Sequence, residues 1–148
     1  MKDIFVGQIE ELNQTADEYL EGLFSEDSGV VVGLSGELGA GKTAFVKEVA
    51  KNLGITEDVT SPTFLIQKNY SIDFNGFKTL VHIDAYRLES GEEMKSLKFE
   101  ETLKNKENLI LIEWPEKIES ILPKDIRRIR FETIDETTRK LTFYDKNK

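Results

Sequence analysis

The feature that most constrains the fold of this chain is a glycine-rich stretch between an apolar run and an amphipathic one. It reads Gly36-Glu37-Leu38-Gly39-Ala40-Gly41-Lys42-Thr43 and fills the phosphate-loop pattern G-x-x-x-x-G-K-[S/T] without a mismatch. The preceding run, Val30 to Leu34, predicts a strand buried on both faces. Apolar residues from Phe45 to Leu53 then recur at helical spacing, and Gly54 favours the end of that helix. The sequence thus predicts a strand, a loop and a helix in that order.

The residue types of this stretch suit a nucleoside triphosphate. Glycines let backbone N–H groups close around phosphate oxygens, and the N-terminus of the following helix adds partial positive charge. Lys42 is placed to reach the β- and γ-phosphates, and the hydroxyl of Thr43 is placed to bind Mg²⁺. We therefore expect this chain to bind a nucleoside triphosphate.

Composition narrows the class of partner and the compartment. A chain of 148 residues, 39% hydrophobic and 32% charged, fits one soluble domain spanning residues 1–148. We find no membrane-spanning run and no signal peptide, and the absence of cysteine excludes disulfides and thiolate zinc sites. The net charge of −8 argues against unaided binding to a nucleic-acid backbone. We expect a cytoplasmic protein whose partners are proteins rather than bare RNA.

The remaining elements predict an α/β fold. Asn75-Gly76 is the strongest short-turn dipeptide and predicts a hairpin of Leu65–Ile72 with Phe77–Ile83. Other patterns predict strands at Asp3–Val6, Leu109–Glu113 and around Ile129 and Leu141, and helices at Ile9–Phe24, Ser90–Leu97, Phe99–Leu103 and Glu116–Leu122. The predicted class is a P-loop NTPase-like three-layer sandwich, with a mainly parallel central sheet and added antiparallel hairpin strands.

Two carboxylates are candidates for the Mg²⁺ ligand that such an enzyme needs at the end of a strand beside the loop. Glu113 follows the cleaner buried strand, whereas Asp84 lies in the polar cluster His82-x-Asp84-x-Tyr86-Arg87. Period-two alternation places His82, Asp84 and Tyr86 on one face. The residues alone leave the choice between the two acids open. We interpret His82 as a structural histidine rather than a catalytic base, and Trp114 as a packing residue rather than a ligand-stacking one.

Two further segments each allow two interpretations. The hydroxyl-rich loop Thr60–Phe64 either senses a γ-phosphate, as switch segments do, or is an ordinary connection. The arginines Arg127, Arg128 and Arg130 belong either to a docking patch or to a solvated edge strand.

Four motifs, in order and in register, resemble the TsaE family. They are Gly36–Thr43, Thr60-Ser61-Pro62-Thr63-Phe64, His82-x-Asp84-x-Tyr86-Arg87-Leu88 and Glu113-Trp114-Pro115, and the resemblance extends from about Thr15 to Pro123. Members of that family are small bacterial P-loop ATPases required for tRNA threonylcarbamoyladenosine biosynthesis. The resemblance implies a partner, a heterodimer of two actin-like-fold proteins that transfers threonylcarbamoyl to the adenosine beside the anticodon. Contact with tRNA would then be indirect.

The resemblance also implies a role for individual residues. Leu38 to Thr43 would hold the phosphates of ATP, and Thr43 and Glu113 would be the Mg²⁺ ligands. Lys42 and Asp84 would serve hydrolysis, Asp84 by orienting water. Thr15, on the N-terminal helix, would lie near the adenine.

Three other activities remain as alternatives. The loop also fits G-x-x-G-x-G-K-T of small-molecule kinases, although the segment between Glu89 and Glu113 has no arginine for a lid. A GTPase is disfavoured because Asn105-Lys106-Glu107-Asn108 lacks the aspartate of a guanine-reading motif. The third alternative is a nucleotide-gated adaptor that binds ATP and scarcely hydrolyses it.

Overall fold

The computed structural model describes residues 1–57, 59, 66–88, 94 and 98–145. The helices are α1 (Ile9–Glu21), α2 (Lys42–Asn52), α3 (Phe99–Lys104) and a 3₁₀ helix (Pro115–Ile121). The strands are β1 (Lys2–Val6), β2 (Val30–Gly36), β3 (Gln67–Phe74), β4 (Phe77–Asp84), β5 (Asn108–Glu113), β6 (Arg127–Thr133) and β7 (Arg139–Tyr144). They form one sheet in the order β1-β7-β6-β2-β5-β4-β3.

The centre of this sheet is parallel and its margins are antiparallel. Strand β2 pairs in parallel with β5 on one side and with β6 on the other, and β5 pairs in parallel with β4. Strands β3, β7 and β1 add to the two margins in antiparallel pairs. Because the carboxyl ends of parallel strands meet at one edge, Asp84 and Glu113 become register neighbours there, beside the end of β2.

Helices cover both faces of the sheet, so the predicted three-layer class is confirmed. One face packs against α1 and α2 through apolar residues that include Phe45, Val49, Leu111 and Phe131. The other face packs against α3 and the 3₁₀ helix through residues that include Val81, Phe99, Ile110 and Ile118. Burying each such side chain contributes about 1.5–3 kcal/mol, so the apolar strand runs also stabilise both layers.

Helix α1 ends three residues before the predicted end at Phe24. The backbone N–H of Gly22 donates to the carbonyl of Tyr19 at 3.2 Å, and that of Leu23 donates to Leu20 at 3.0 Å. This tight turn closes the helix and directs Leu23 into the core, whereas Phe24 lies exposed. The prediction extended too far because the helical spacing of apolar residues in the sequence continues beyond Glu21, where the helix ends.

The interpretation of the arginine-bearing segment as an edge strand is wrong. Strand β6 lies between β2 and β7, so both of its edges are paired. Its arginines face carboxylates instead: Arg127 meets Glu26 at 3.3 Å, Arg128 meets Glu119 at 3.0 Å and Arg130 meets Glu132.

Two predicted segments lie outside the described residues. They are the Thr60–Phe64 loop and the Ser90–Leu97 helix, of which only Met94 is described, as helical and buried. Within the described ranges, no helix is both long and apolar enough to cross a membrane.

Gly36 ends β2, where it pairs with Phe131 of β6. Its φ is +143°, and a Cβ at this position would overlap the carbonyl oxygen of Phe131. Gly39 has a φ of +79° but nothing within 4 Å of the corresponding Cβ position. A side chain at Gly36 would therefore meet both a steric overlap and an unfavourable backbone conformation. A side chain at Gly39 would meet only the unfavourable backbone conformation.

We expect Gly36→Ala to lower the free energy of unfolding by roughly 3 kcal/mol or more, because overlap with backbone adds to the conformational strain. Gly39→Ala, which meets only the conformational cost, should lower it by about 1 kcal/mol. Urea unfolding of both variants measures the difference. Equal losses would contradict the close packing of β2 on β6.

Candidate functional site

The glycine loop presents the N-terminus of α2 without competing side chains. Strand β2 ends at Gly36, and α2 begins at Lys42. Gly36, Gly39 and Gly41 all have positive φ, which other residue types adopt only at a cost. No side chain caps α2, and its first turn holds no acidic residue. Its first backbone N–H groups and the helix dipole are therefore available to an anion at this loop.

The side chain of Lys42 folds back over the loop. Its ammonium donates to the carbonyl oxygens of Gly36 and Glu37, the latter at 3.2 Å, and lies 3.8 Å from the ring centroid of Trp114. Burial lowers the pKa of Lys42, and the nearby carboxylates of Glu113, Glu116 and Asp84 partly offset that shift. Carbonyls and a ring are weaker partners for an ammonium than a phosphate, so the arrangement leaves Lys42 ready to exchange them for an anion.

Thr43, Glu113 and His82 form one hydrogen-bonded chain. The Thr43 hydroxyl donates to the Glu113 carboxylate, at 2.8 Å to Oε1 and 3.1 Å to Oε2. His82 Nε2 lies 2.6 Å from Glu113 Oε2. Glu113 is 3% exposed and His82 is fully buried. A hydroxyl and a carboxylate thus meet where α2 begins and β5 ends.

Asp84 lies at the same edge of the sheet as this hydrogen-bonded chain. It is the register neighbour of Glu113 and is half-buried, and its Oδ1 accepts a hydrogen bond from the backbone N–H of Tyr86 at 3.0 Å. The described ranges hold no cluster of three or more histidines and carboxylates set to bind a metal. The donor set fits Mg²⁺, which is usually held by one or two protein oxygens together with water and phosphate.

Thr15 lies on α1 and is not among the lining residues of the groove that borders the loop. Its hydroxyl donates to the carbonyl of Glu11 at 2.8 Å, and it lines a cavity of about 410 Å³ with Tyr19, Arg127 and Phe143. None of the loop residues Gly36 to Thr43 lines that cavity.

A separate groove of about 650 Å³ borders the start of the loop. Gly36, Glu37, Trp114, Arg130 and Ile134 are among its lining residues. Space for a nucleoside beside the loop is therefore present on the β6 side.

Two contacts of the site were missed in the sequence. Trp114 contacts both the Lys42 ammonium and the ring of Tyr86, whose centroid is 5.0 Å away, and its φ of 61° is unusual for tryptophan. The bond between His82 and Glu113 was also missed, although alternation along two adjacent strands carried a signal for it. Asp84 pairs with Glu113 in register, so His82, two residues earlier, points to the same face.

Known proteins resemble this chain in sequence and in structure. Residues 7–141 match the family model of the threonylcarbamoyl adenosine biosynthesis protein TsaE. The tRNA threonylcarbamoyladenosine biosynthesis protein TsaE of Rickettsia felis is 43% identical over 74% of this chain, and that of Bacillus subtilis is 40% identical over 78%. The matched regions make up 61% and 69% of those two proteins, so this chain spans less than two thirds of the Rickettsia one.

One solved structure resembles the fold over nearly the whole chain. The crystal structure of Bacillus subtilis YdiB superimposes with a TM-score of 0.74 at 29% identity, covering 99% of this chain and 86% of that one. Fold and sheet order thus define an α/β protein of the P-loop NTPase-like class. Within that class, the match over residues 7–141 shows that the chain belongs to the TsaE family.

The chain has a single tryptophan, and it lies against the Lys42 ammonium. Lys42→Met removes a charge 3.8 Å from the indole centroid and should change the emission maximum and yield of Trp114. Lys68→Met, which removes a cation near Tyr70, is the matched control and should leave the emission unchanged. Unchanged tryptophan emission in Lys42→Met would show that the ammonium does not rest on this ring.

Proposed function

We propose that this chain is the ATP-binding and ATP-hydrolysing component of the tRNA threonylcarbamoyladenosine machinery. The observation that most supports the proposal is the hydrogen bond between Thr43 and Glu113 in the first turn of α2, whose N-terminus has no side-chain cap. A phosphate-binding loop, a cation and a paired hydroxyl and carboxylate are the parts that ATP with Mg²⁺ requires. Membership in the TsaE family supports the biosynthetic role.

Each part of the site then has a task. Backbone N–H groups from Leu38 to Thr43 bind the β- and γ-phosphates, and the Lys42 ammonium leaves its carbonyl partners to bind them too. Thr43 and Glu113 hold Mg²⁺, which neutralises charge on the phosphates when bound. Asp84, beside Glu113 at the same sheet edge, orients the attacking water. The position of Thr15 near the adenine stays a prediction.

A partner-dependent ATPase fits the site better than a small-molecule kinase does. A kinase has to neutralise the transferred phosphoryl group, usually with lid arginines, and the segment from Glu89 to Glu113 has none. A nucleotide-gated adaptor with little turnover shares the whole binding site and differs only in rate. Measuring phosphate release with and without partners separates the adaptor from the ATPase.

We place the partners, a heterodimer of two actin-like-fold proteins, against the edge of the sheet that carries the site. Tyr86 and Leu38 are large apolar residues that lie exposed there, and Arg87 is exposed next to Tyr86. A net charge of −8 favours contact with tRNA through those partners rather than directly. If a partner has to complete the site, the isolated chain, which lacks that partner, should hydrolyse ATP slowly.

The two acids should respond differently to Mg²⁺. Glu113→Ala should raise the Mg²⁺ concentration for half-maximal ATP hydrolysis by about tenfold or more, because a metal ligand is lost. Asp84→Ala should lower turnover by about a hundredfold at saturating Mg²⁺. Lys42→Met should abolish binding of ATP. The opposite pattern of Mg²⁺ titrations would make Asp84 the metal ligand and Glu113 the residue that orients water. Unchanged ATP binding and turnover in Lys42→Met would refute the proposed function.

Arg87 should matter to the partners more than to ATP. In a reconstituted system with tRNA, Arg87→Ala should reduce threonylcarbamoyladenosine formation about tenfold or more while ATP affinity changes less than about twofold. Lys117→Ala, an exposed cation on the 3₁₀ helix, is the control and should change neither measurement. Isolated wild-type chain that hydrolyses ATP as fast as the full assembly would contradict the dependence on partners.

A further inference from the structure

The single histidine of the chain is buried against a carboxylate that the proposed function assigns to Mg²⁺. His82 is fully buried on β4, and its Nε2 lies 2.6 Å from Glu113 Oε2. Its other ring nitrogen, Nδ1, is buried and has no hydrogen-bond partner within the described residues. The sequence favoured a structural histidine, but the contact joins it directly to the site.

The contacts of the imidazole favour one of its two tautomers. A carboxylate oxygen and a ring nitrogen can approach to 2.6 Å only if a hydrogen lies between them. An ionised carboxylate has no hydrogen to donate, and Glu113 already accepts that of the Thr43 hydroxyl. With Glu113 as a carboxylate, Nε2 is the ring nitrogen that carries the hydrogen and donates it.

These two donors fix the rotation of the Glu113 carboxylate. Thr43 and His82 approach from different elements, α2 and β4, and Oε1 lies nearest to Thr43 whereas Oε2 lies nearest to His82. Without His82, the buried carboxylate would keep, among the described residues, the Thr43 hydroxyl as its one side-chain donor and could rotate away from the loop. Partners that orient a metal ligand in this way contribute about ten- to a hundredfold to metal affinity.

We propose that His82 is a positioning residue that holds the Glu113 carboxylate towards Thr43 by donating a hydrogen bond from Nε2. It touches neither phosphate nor metal, and its effect reaches the metal only through Glu113. The inference rests on the proposed function for its metal, but the contact itself can be tested without any ligand.

The ligand-free test uses the only histidine as a spectroscopic probe. In protein labelled with ¹⁵N-histidine, both ring nitrogens give signals that need no assignment to a residue. We expect the tautomer with hydrogen on Nε2. Glu113→Gln should shift the Nε2 signal, because the acceptor changes from a carboxylate to an amide. Glu116→Gln, which removes an exposed charge near Lys42, should not shift it. Hydrogen on Nδ1, or an Nε2 signal indifferent to Glu113→Gln, would overturn the proposal.

The metal test compares two substitutions at one position. In His82→Gln the side-chain amide places a nitrogen donor near the site of Nε2, whereas His82→Leu removes the donor and keeps an apolar side chain. ATP affinity is measured from Trp114 emission, once with Mg²⁺ and once with EDTA. We expect His82→Leu to weaken affinity about tenfold or more with Mg²⁺ and leave it unchanged in EDTA. His82→Gln should stay within about threefold of the wild type in both conditions.

Each outcome of these tests decides between explanations. Equal losses with Mg²⁺ and with EDTA in His82→Leu would indicate a general packing defect and overturn the positioning role. Equal ATP affinities of His82→Leu and His82→Gln in the presence of Mg²⁺ would also overturn the positioning role. If His82→Leu fails to fold, a loss of ATP affinity in His82→Gln that is equal with Mg²⁺ and with EDTA, or an Nε2 signal indifferent to Glu113→Gln, still overturns the proposal. A wild-type chain that binds no ATP would refute the proposed function, while the Glu113→Gln shift would still judge the contact.

Discussion

The Glu113 carboxylate is the group on which the geometry of the site depends. It lies at the end of β5, receives a hydrogen bond from the first turn of α2 and meets a histidine on β4. A carboxylate buried to 3% exposure is costly unless donors surround it. The parallel pairing of β4, β5 and β2 supplies those donors, because it brings the ends of three distant segments to one edge.

The site is organised through bonds among its own residues. The Thr43 hydroxyl donates to Glu113, and the Lys42 ammonium donates to two loop carbonyls. These bonds keep the side chains in defined rotamers, which lowers the entropy that a ligand would otherwise remove. Thr43 can keep its bond to Glu113 when its oxygen binds a cation, since the hydrogen and the lone pairs serve different partners. Under the proposed function, Lys42 is the group that would leave its present partners.

The sequence predicted the parts of the fold that depend only on residues close together in the chain. The glycine loop and the Asn75-Gly76 turn follow from residues with positive φ, and both were found where expected. The end of β5 at Glu113 follows from an apolar run. The interior position of β6 could not be predicted, because strand order depends on pairing between distant segments. The same holds for the bond from His82 to Glu113, which needs the register of two strands.

The place of β2 in the sheet has a consequence for protein synthesis. Residues Val30–Gly36 leave the ribosome well before either neighbouring strand, since β5 begins at Asn108 and β6 at Arg127. Until Thr133 has emerged, the glycine loop is attached to a strand whose edges cannot both be paired. Open apolar edges of this kind favour aggregation and chaperone binding in nascent chains. The carboxylate at residue 113 also emerges 70 residues after Thr43, so a growing chain displays its glycine loop long before the hydrogen bond between Thr43 and Glu113 can form.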